Sequence, residues 1–466
     1  MEENSVQIEV EDNTTFTAGS KGYEDLQRLF DASPEFEQVL TKSSLQDLSK
    51  SSKLIIFPPC ATDFGGENPE KDDRFIIKCI KDKDKSGYKS GNLVGFIGYG
   101  KERLTIKSRF GNTLFLYLLE KVLQIQIAKN LKADTNSLDS LDILCLLFPF
   151  YLKSAMTRGP YKEYIERPYN DSNLRGKLDI SRFIKEDIPF MGKVPYFCRE
   201  FSFDNGITEL ICCTIDYIER HKRHSALLSE VQEEVKKIKT AAFSYKSQNK
   251  EKIIEWNKRH SIKNGFYSTY RPLQTLCLGI LQNHKSSLGT GPDQIYGVLF
   301  DCAWLWEEYI NTLIGEEHGY NFQHPRNTNN TGGEYFYEKL RGGKHGEARR
   351  MYPDFVNQKV SPAIIVDAKY RPIAEEESIR KEDLDAMLCY CLYYGANKGY
   401  FVYPCREIPD TEEQYRSRAP LCKDLCFTTC GILIPETADD WDNFKKAMKI
   451  SESAFLKSNP QFSSKR

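Results

Sequence analysis

The 466-residue sequence has no excess of charge of either sign: 65 Lys and Arg stand against 66 Asp and Glu, for a formal net charge of −1. A chain so balanced is no general polyanion binder, and any hold on nucleic acid must come from local basic patches. It lacks a basic start followed by an apolar run, opening on Met1-Glu2-Glu3-Asn4, so no secretory signal is expected. It also lacks a long apolar run. The longest, Leu141 to Leu152, is interrupted by Asp142 and Pro149 and is too short to cross a bilayer. A buried helix that Pro149 ends or kinks is the expectation there, and no membrane partner. There is no GxxxxGK[ST] phosphate loop, which excludes a P-loop motor; Gly98-Tyr99-Gly100-Lys101, followed by Glu102, reads as a β turn. Internal repeats and low-complexity linkers are absent as well.

Cysteine is plentiful, at 14 residues, but zinc-type pairing is not. Most cysteines sit among apolar neighbours, as in Ile211-Cys212-Cys213 and Leu388-Cys389-Tyr390-Cys391, where a free thiol behaves as a small core residue. Cys422, Cys426 and Cys430 recur at spacings of four without a CxxC-like pair or a fourth ligand, and read as ordinary packing. His221 and His224 lie among Arg220, Lys222 and Arg223, whose charges would repel a cation. Reduced thiols point to a cytoplasmic setting.

Length and patterning predict several domains of α/β and α+β type. Residues 1–22 are polar and read as a flexible terminus. Residues 23–170 read as a β-rich domain with helices. Leu54–Pro59, Phe75–Cys79, Leu93–Gly98 and Leu104–Lys107 are its strand-like runs, and Asn112–Lys129 and Leu138–Phe148 its helical ones. Residues 171–290 read as a helical middle, with charge from Glu219 to Lys239 on a solvated face. Residues 291–450 read as a C-terminal domain, and 451–466 as a polar tail.

Chemistry concentrates in that last domain. Met351-Tyr352-Pro353-Asp354-Phe355-Val356 is followed, past a turn, by Ala363-Ile364-Ile365-Val366-Asp367-Ala368-Lys369. The apolar run predicts a strand buried on both faces. Two charges directly after it are costly to bury unless they pair or bind an ion. In a strand, residues i and i+2 share a face, so Asp367 and Lys369 point together, and Asp354 on the preceding strand can join them through a hairpin. Two carboxylates suit Mg²⁺, with Mn²⁺ as a substitute, because hard cations take oxygen ligands and keep waters. The Ala368 carbonyl offers a further ligand. Such an ion lowers the pKa of a bound water and polarises a phosphate, while Lys369 orients or deprotonates that water or stabilises the developing charge.

Pro353-Asp354 with Asp367-Ala368-Lys369 resembles the PD-(D/E)xK nuclease signature. That resemblance implies a restriction-endonuclease-like fold, with a mixed sheet flanked by helices, and a glutamate on an upstream helix. Trp304-Leu305-Trp306-Glu307-Glu308-Tyr309 supplies one: Glu307 is preferred and Glu308 remains open. More widely, Gly95–Gly100 leading into Leu104–Lys107, Leu174-Arg175-Gly176-Lys177-Leu178-Asp179, and Phe203-Asp204-Asn205-Gly206-Ile207 fall in the order of the McrC family's landmarks. McrC proteins are the nuclease subunits of modified-cytosine restriction systems, and the resemblance spans roughly residues 90–405. One departure is Ala386 in Asp383-Leu384-Asp385-Ala386-Met387-Leu388, where the family commonly has Gln.

The resemblance implies an Mg²⁺-dependent DNA endonuclease that cuts double-stranded, possibly methylated DNA when an McrB-like AAA+ GTPase delivers it. Partner docking is expected on residues 23–170, with the remainder folding without them. Lys339, Arg341, Lys344, Arg349 and Arg350, interspersed with Gly342, Gly343 and Gly346, form a basic segment suited to phosphate contacts. Two other readings stay open: a non-catalytic subunit that stimulates the partner, and a nuclease that needs no partner.

Overall fold

Alternation of apolar and polar residues at the very start makes a strand where a flexible terminus was expected. In β1 (Gln7–Glu11), Ile8 and Val10 are buried while their neighbours face outward. The computed structural model describes residues 6–51, 53–58, 74–82, 85–125, 140–221, 224–282, 295–326, 333–336, 350–373, 379–407, 414–418, 423–436 and 441–462. It is a mixed α/β structure that divides into two units, residues 1–140 with 287–466, and residues 141–286.

After β1 come β2 (Thr15–Thr17), α1 (Lys21–Ala32), α2 (Pro34–Lys42), α3 (Leu45–Ser51), β3 (Lys53–Phe57), β4 (Ile77–Asp82), β5 (Lys85–Ser90), β6 (Leu93–Tyr99), β7 (Glu102–Lys107) and α4 (Asn112–Leu123). Ser20 and Ser33 cap α1 and α2 by accepting from the Tyr23 and Phe36 N–H groups, and Pro34 occupies the first turn of α2. These are the residue types that best satisfy a helix start. The apolar faces of α1 and α2 pack through Leu26, Leu29, Phe30, Phe36 and Leu40 on Ile8, Val10, Leu54, Ile97 and Leu104 of the strands.

The second unit contains α5 (Ser140–Met156), β8 (Glu163–Asp171), β9 (Lys177–Leu178), α6 (Ile180–Glu186), β10 (Val194–Ser202), α7 (Gly206–Arg220), α8 (Gln232–Ala241), α9 (Lys250–Arg259) and α10 (Tyr270–Gln282). Pro149 does not end α5, which continues to Met156; burial of Tyr151, Leu152 and Ala155 holds the turns beyond it. The middle is not purely helical either: β8, β10 and β9 form an antiparallel sheet. Its boundary falls at 141 rather than 171, because α5 packs with this unit. His224 is buried on Asp142 at 2.7 Å, a structural pair.

Two sequence landmarks acquire a physical reason here. A Cβ on Gly176 would lie 2.0 Å from the Phe197 carbonyl oxygen, so only glycine lets the strands close. Asn205 caps α7, accepting from the Ile207 and Thr208 N–H groups. Its Nδ2 also donates to the carbonyls of Tyr161, Ser202 and Phe203, while Asp204 pairs with Arg167 at 2.5 Å.

The chain then returns to the first unit. β11 (Ile295–Asp301) leads into α11 (Cys302–Ile314), β12 (Glu334–Tyr335), β13 (Arg350–Met351), β14 (Phe355–Asn357), β15 (Ile364–Ala368), α12 (Lys381–Tyr394), β16 (Lys398–Cys405), β17 (Gln414–Arg416), β18 (Cys426–Leu433) and α13 (Trp441–Ser458). β11 does not open a separate C-terminal domain at residue 291. It lies inside the N-terminal sheet, in the order β1-β7-β6-β11-β3, antiparallel to β6 and parallel to β3. Gly95 and Gly297 permit that insertion: both have positive φ, and a Cβ on either would lie about 2 Å from a carbonyl oxygen of the opposite strand. The remainder from 171 onward is therefore not independent of the first 170 residues, since removing them strips β11 of both neighbours.

A second sheet has the order β14-β15-β16-β18-β17, with β15, β16 and β18 parallel and both edge strands antiparallel. Ile365, Phe401 and Tyr403 pack with Met387 and Cys391 of α12. α11 supplies Trp306, whose Nε1 donates to the Val402 carbonyl. The expected polar tail is largely helix: α13 runs to Ser458, and Phe455 and Phe462 are buried together, with Phe462 against Phe322 and Tyr400. Cys430 is buried on β18, Cys426 is half-buried, and Cys422 lies outside the described residues.

Asn205→Ala should lower the stability of the second unit by about 2 kcal/mol, the upper range for losing an N-cap, because the carbonyls it serves lose their donor. Urea unfolding followed by far-UV circular dichroism measures this, and an unchanged midpoint would show that the cap contributes nothing.

Candidate active site

The register of β14 and β15 sets the geometry. Phe355 pairs with Val366 and Val356 with Ile365, so the next antiparallel pair outward is Asp354 opposite Asp367. Asp354 Oδ2 accepts the Ala368 N–H at 2.7 Å, which fixes its carboxylate on the backbone of the adjacent strand. Lys369 extends the ladder by one residue, donating its N–H to the Val402 carbonyl at 2.9 Å. Its Nζ lies 2.8 Å from Asp367 Oδ1 and 3.2 Å from Asp383 Oδ1 at the start of α12. The structure thus brings Asp354, Asp367 and Lys369 together.

Glu307 and Glu308 diverge. Glu308 accepts two hydrogen bonds from Arg326, at 2.7 and 2.8 Å, and Arg326 also binds Glu317. Burial alone would raise Glu308, but Arg326 and His324 outweigh it and bring its pKa down to about 2. Glu307 is pushed up by burial and by Glu308, against the opposing charges of His324 and Arg74. Its charge in turn acts on Asp354, which burial, Glu307 and Asp367 hold well above the usual carboxylate range, with Lys369 opposing. Glu307 thus acts on Asp354, whereas Glu308 is held by Arg326.

Burial by itself would depress Lys369, yet Asp367, Asp383 and Asp354 overcome it and hold the ammonium well above its ordinary range. Asp383 is kept low by Lys369 and Arg371, which outweigh its burial. The cluster is short of positive charge and built of oxygen donors. Asp367 Oδ1, buried, makes no aligned hydrogen bond despite the nearby ammonium. A hard divalent cation fits such a set, with Asp354, Asp367 and the Ala368 carbonyl as donors. Among the described residues, no three His, Cys, Asp or Glu side chains form a cage; Mg²⁺ needs none, because it keeps waters and accepts substrate oxygens.

Sequence reasoning passed over His324, Asp383 and Arg326. His324 Nδ1 donates to the Asp354 carbonyl at 2.7 Å, and its ring stacks on Phe355 at a centroid distance of 4.7 Å. A lone histidine 30 residues ahead of Asp354 carries no spacing signal. Asp383 lay in a recognised helix motif, but its pairing with Lys369 depends on how α12 packs. Ala386 is half-buried on α12 and brings no polar group to that position.

Of the basic segment, Lys339, Arg341, Lys344 and Arg349 lie outside the described residues. Arg350 sits on β13, its guanidinium 4.4 Å from the centre of the Tyr335 ring and donating to the Tyr335 hydroxyl at 2.7 Å. No helix among the described residues is long and apolar enough to cross a membrane.

Among solved structures, the chain is similar to the refined half-complex from a tetradecameric assembly of Thermococcus gammatolerans McrB AAA+ hexamers with bound McrC. The identity is 15%, covering 95% of this chain and 99% of that one, with a TM-score of 0.45. The cryo-EM structure of the Thermococcus gammatolerans McrBC complex is 17% identical over 66% of this chain and 86% of that one, with a TM-score of 0.28. No curated protein matches. The family model for the McrBC 5-methylcytosine restriction system component matches residues 88–404, more than half of the sequence. The chain belongs to that McrBC restriction-system family.

Proposed function

We propose that this chain is the McrC-type nuclease subunit of a modification-dependent restriction system, a PD-(D/E)xK enzyme that hydrolyses DNA phosphodiesters when an McrB-like AAA+ GTPase engages it. The observation that carries the reading is the cross-strand pair of half-buried Asp354 and buried Asp367, with Lys369 on the same strand end. A structural salt bridge needs one carboxylate per ammonium; here the excess of carboxylates leaves room for a metal.

Bound Mg²⁺ or Mn²⁺ would supply Lewis acidity toward a phosphate oxygen and a water acidified for attack. Asp354 is held by the Ala368 N–H, so its carboxylate is already oriented. Asp367 presents a buried carboxylate whose Oδ1 lies 2.8 Å from the Lys369 ammonium. Lys369, flanked by Asp367 and Asp383, keeps its proton, which favours stabilising the pentacovalent phosphate's charge and orienting the water over deprotonating it. Asp383, at the start of α12 and itself held by Arg371, positions that lysine. Glu307 adds negative charge on the α11 side of the cluster. The expected docking of the partner on residues 23–170 is carried into the proposal; because these residues share a sheet with β11, its test is surface substitution rather than deletion.

The test combines the full chain with an McrB-type GTPase, GTP, Mg²⁺ and methylated or unmethylated plasmid. Asp367→Asn and Lys369→Ala should each lower the cleavage rate by at least roughly 100-fold, the scale of losing a preorganised charge. Stimulation of the partner's GTP hydrolysis should be unaffected. Stimulation with no cleavage by the wild type would make the chain a non-catalytic activator, and cleavage without partner or nucleotide would make it a stand-alone nuclease.

Arg350 faces outward beside Tyr335, and phosphate contacts from it and Arg349 would be sequence-independent. Reversing Arg349 and Arg350 to Glu should weaken DNA binding and reduce the slope of log affinity against log salt by about 2, near 0.9 per phosphate contact. Fluorescence anisotropy in Ca²⁺ measures both, and an unchanged slope would remove these arginines from the DNA surface.

A further inference from the structure

The segment between α11 and the first acidic strand is built to deliver one ring. Phe322 is buried, and its carbonyl accepts the Glu316 N–H at 2.8 Å. Gln323 exchanges both backbone hydrogen bonds with Val356, at 2.8 and 2.9 Å, so it acts as a one-residue extension of the sheet edge beside β14. The next side chain, His324, is thereby laid over the strand at Asp354 and Phe355. Two residues on, Arg326 binds Glu308 and Glu317 and withdraws Glu308 from the acidic cluster.

His324 is 2% exposed at its side chain and touches both halves of the cluster. Nδ1 faces a carbonyl oxygen, which only accepts, so Nδ1 donates to Asp354. At the opposite end of the ring, Nε2 lies 3.6 Å from Glu307 Oε1 and 3.4 Å from Glu308 Oε1, without an aligned hydrogen bond to either. Stacking on Phe355 sets the ring plane. The imidazole therefore spans the gap between helix α11 and strand β14, gripping the main chain of Asp354 and facing the side chains of Glu308, the nearer, and Glu307.

We propose that His324 is a positioning residue of the nuclease site, setting where the Asp354 carboxylate and Glu307 stand relative to each other and so how well the oxygen cluster receives a divalent cation. The proposal rests on the nuclease reading above. It needs no proton transfer and no contact of the ring with DNA. Residues that orient metal-binding carboxylates from behind act in this way, and their loss is felt in metal affinity and turnover more than in substrate affinity.

The experiment uses the full chain, wild type and the variants His324→Ala, His324→Asn, His324→Gln and Asp367→Asn. Mn²⁺ binding is measured by calorimetry without DNA, and kcat and KM for plasmid with the GTPase and GTP. His324→Ala should weaken Mn²⁺ binding and lower kcat by roughly 10–100-fold with KM for DNA little changed. Asn places an N–H where Nδ1 was, so His324→Asn should recover most of both losses, whereas His324→Gln, whose amide reaches only the Nε2 position, should not. Wild-type values in His324→Ala overturn the proposal. If the alanine variant does not fold, the Asn and Gln variants decide, and equal behaviour of the two overturns it. If instead the wild type neither binds Mn²⁺ nor cuts, or Asp367→Asn cuts as well as wild type, the nuclease reading itself falls, and the assignment of His324 with it.

Discussion

Buried like charge governs the C-terminal half of this chain. Asp354, half-buried, and Asp367, buried, are neighbours across two strands, with Glu307 acting on Asp354 from α11. Each carboxylate is costly to bury without compensation. The surrounding structure is largely an arrangement of positive charge and backbone dipoles against that cost: Lys369 beside Asp367, the Ala368 N–H on Asp354, His324 between the strand and the helix. Where compensation is complete, as for Glu308 under Arg326, the carboxylate is an ordinary ion pair. Where it is incomplete, as at Asp354, the carboxyl is held well above the usual carboxylate range.

The positive groups are themselves held by further contacts, which gives the cluster depth. Lys369 is shared between Asp367 and Asp383, and Asp383 also binds Arg371. Tyr370, next along the chain, is buried with its hydroxyl 2.9 Å from Ser108 Oγ, and Arg109 donates to its carbonyl. Those partners follow β7 of the N-terminal sheet. The strand end that carries Asp367 and Lys369 is thus fastened to residues more than 260 positions earlier in the sequence.

Legibility followed the range of the interactions. Strands β3, β6 and β7 and helices α4 and α7 were readable because period-two and helical patterns are local. The triad of Asp354, Asp367 and Lys369 was readable because i, i+2 spacing and a short hairpin fix side-chain direction, and the structure does bring these residues together. β1 was missed because its acidic positions read as a polar end, although Ile8 and Val10 alternate with them. Pro149 does not end its helix because burial on both sides outweighs one lost backbone bond. The domain boundary failed for a different reason: the pairing of β11 with β6 and β3 spans some 200 residues and leaves no trace in local patterning. His324 and Asp383 were hidden in the same way, since each acquires its partner only through packing.

The placement of β11 has a consequence for how the chain is made. Until residue 301 has been synthesised, β3 and β6 lack the strand that lies between them, and both present open edges. Open edges of apolar strands invite pairing with other chains, and contacts so distant in sequence form late. The whole of the second unit, residues 141–286, emerges during that wait. Folding of that unit on its own would shorten the effective distance between the waiting strands and the one that joins them, because a folded insert replaces a long flexible loop. Completion of the N-terminal sheet and arrival of the helix bearing Glu307 are then one event, since α11 begins at the residue after β11 ends. The acidic cluster is therefore assembled only on a sheet that is already closed.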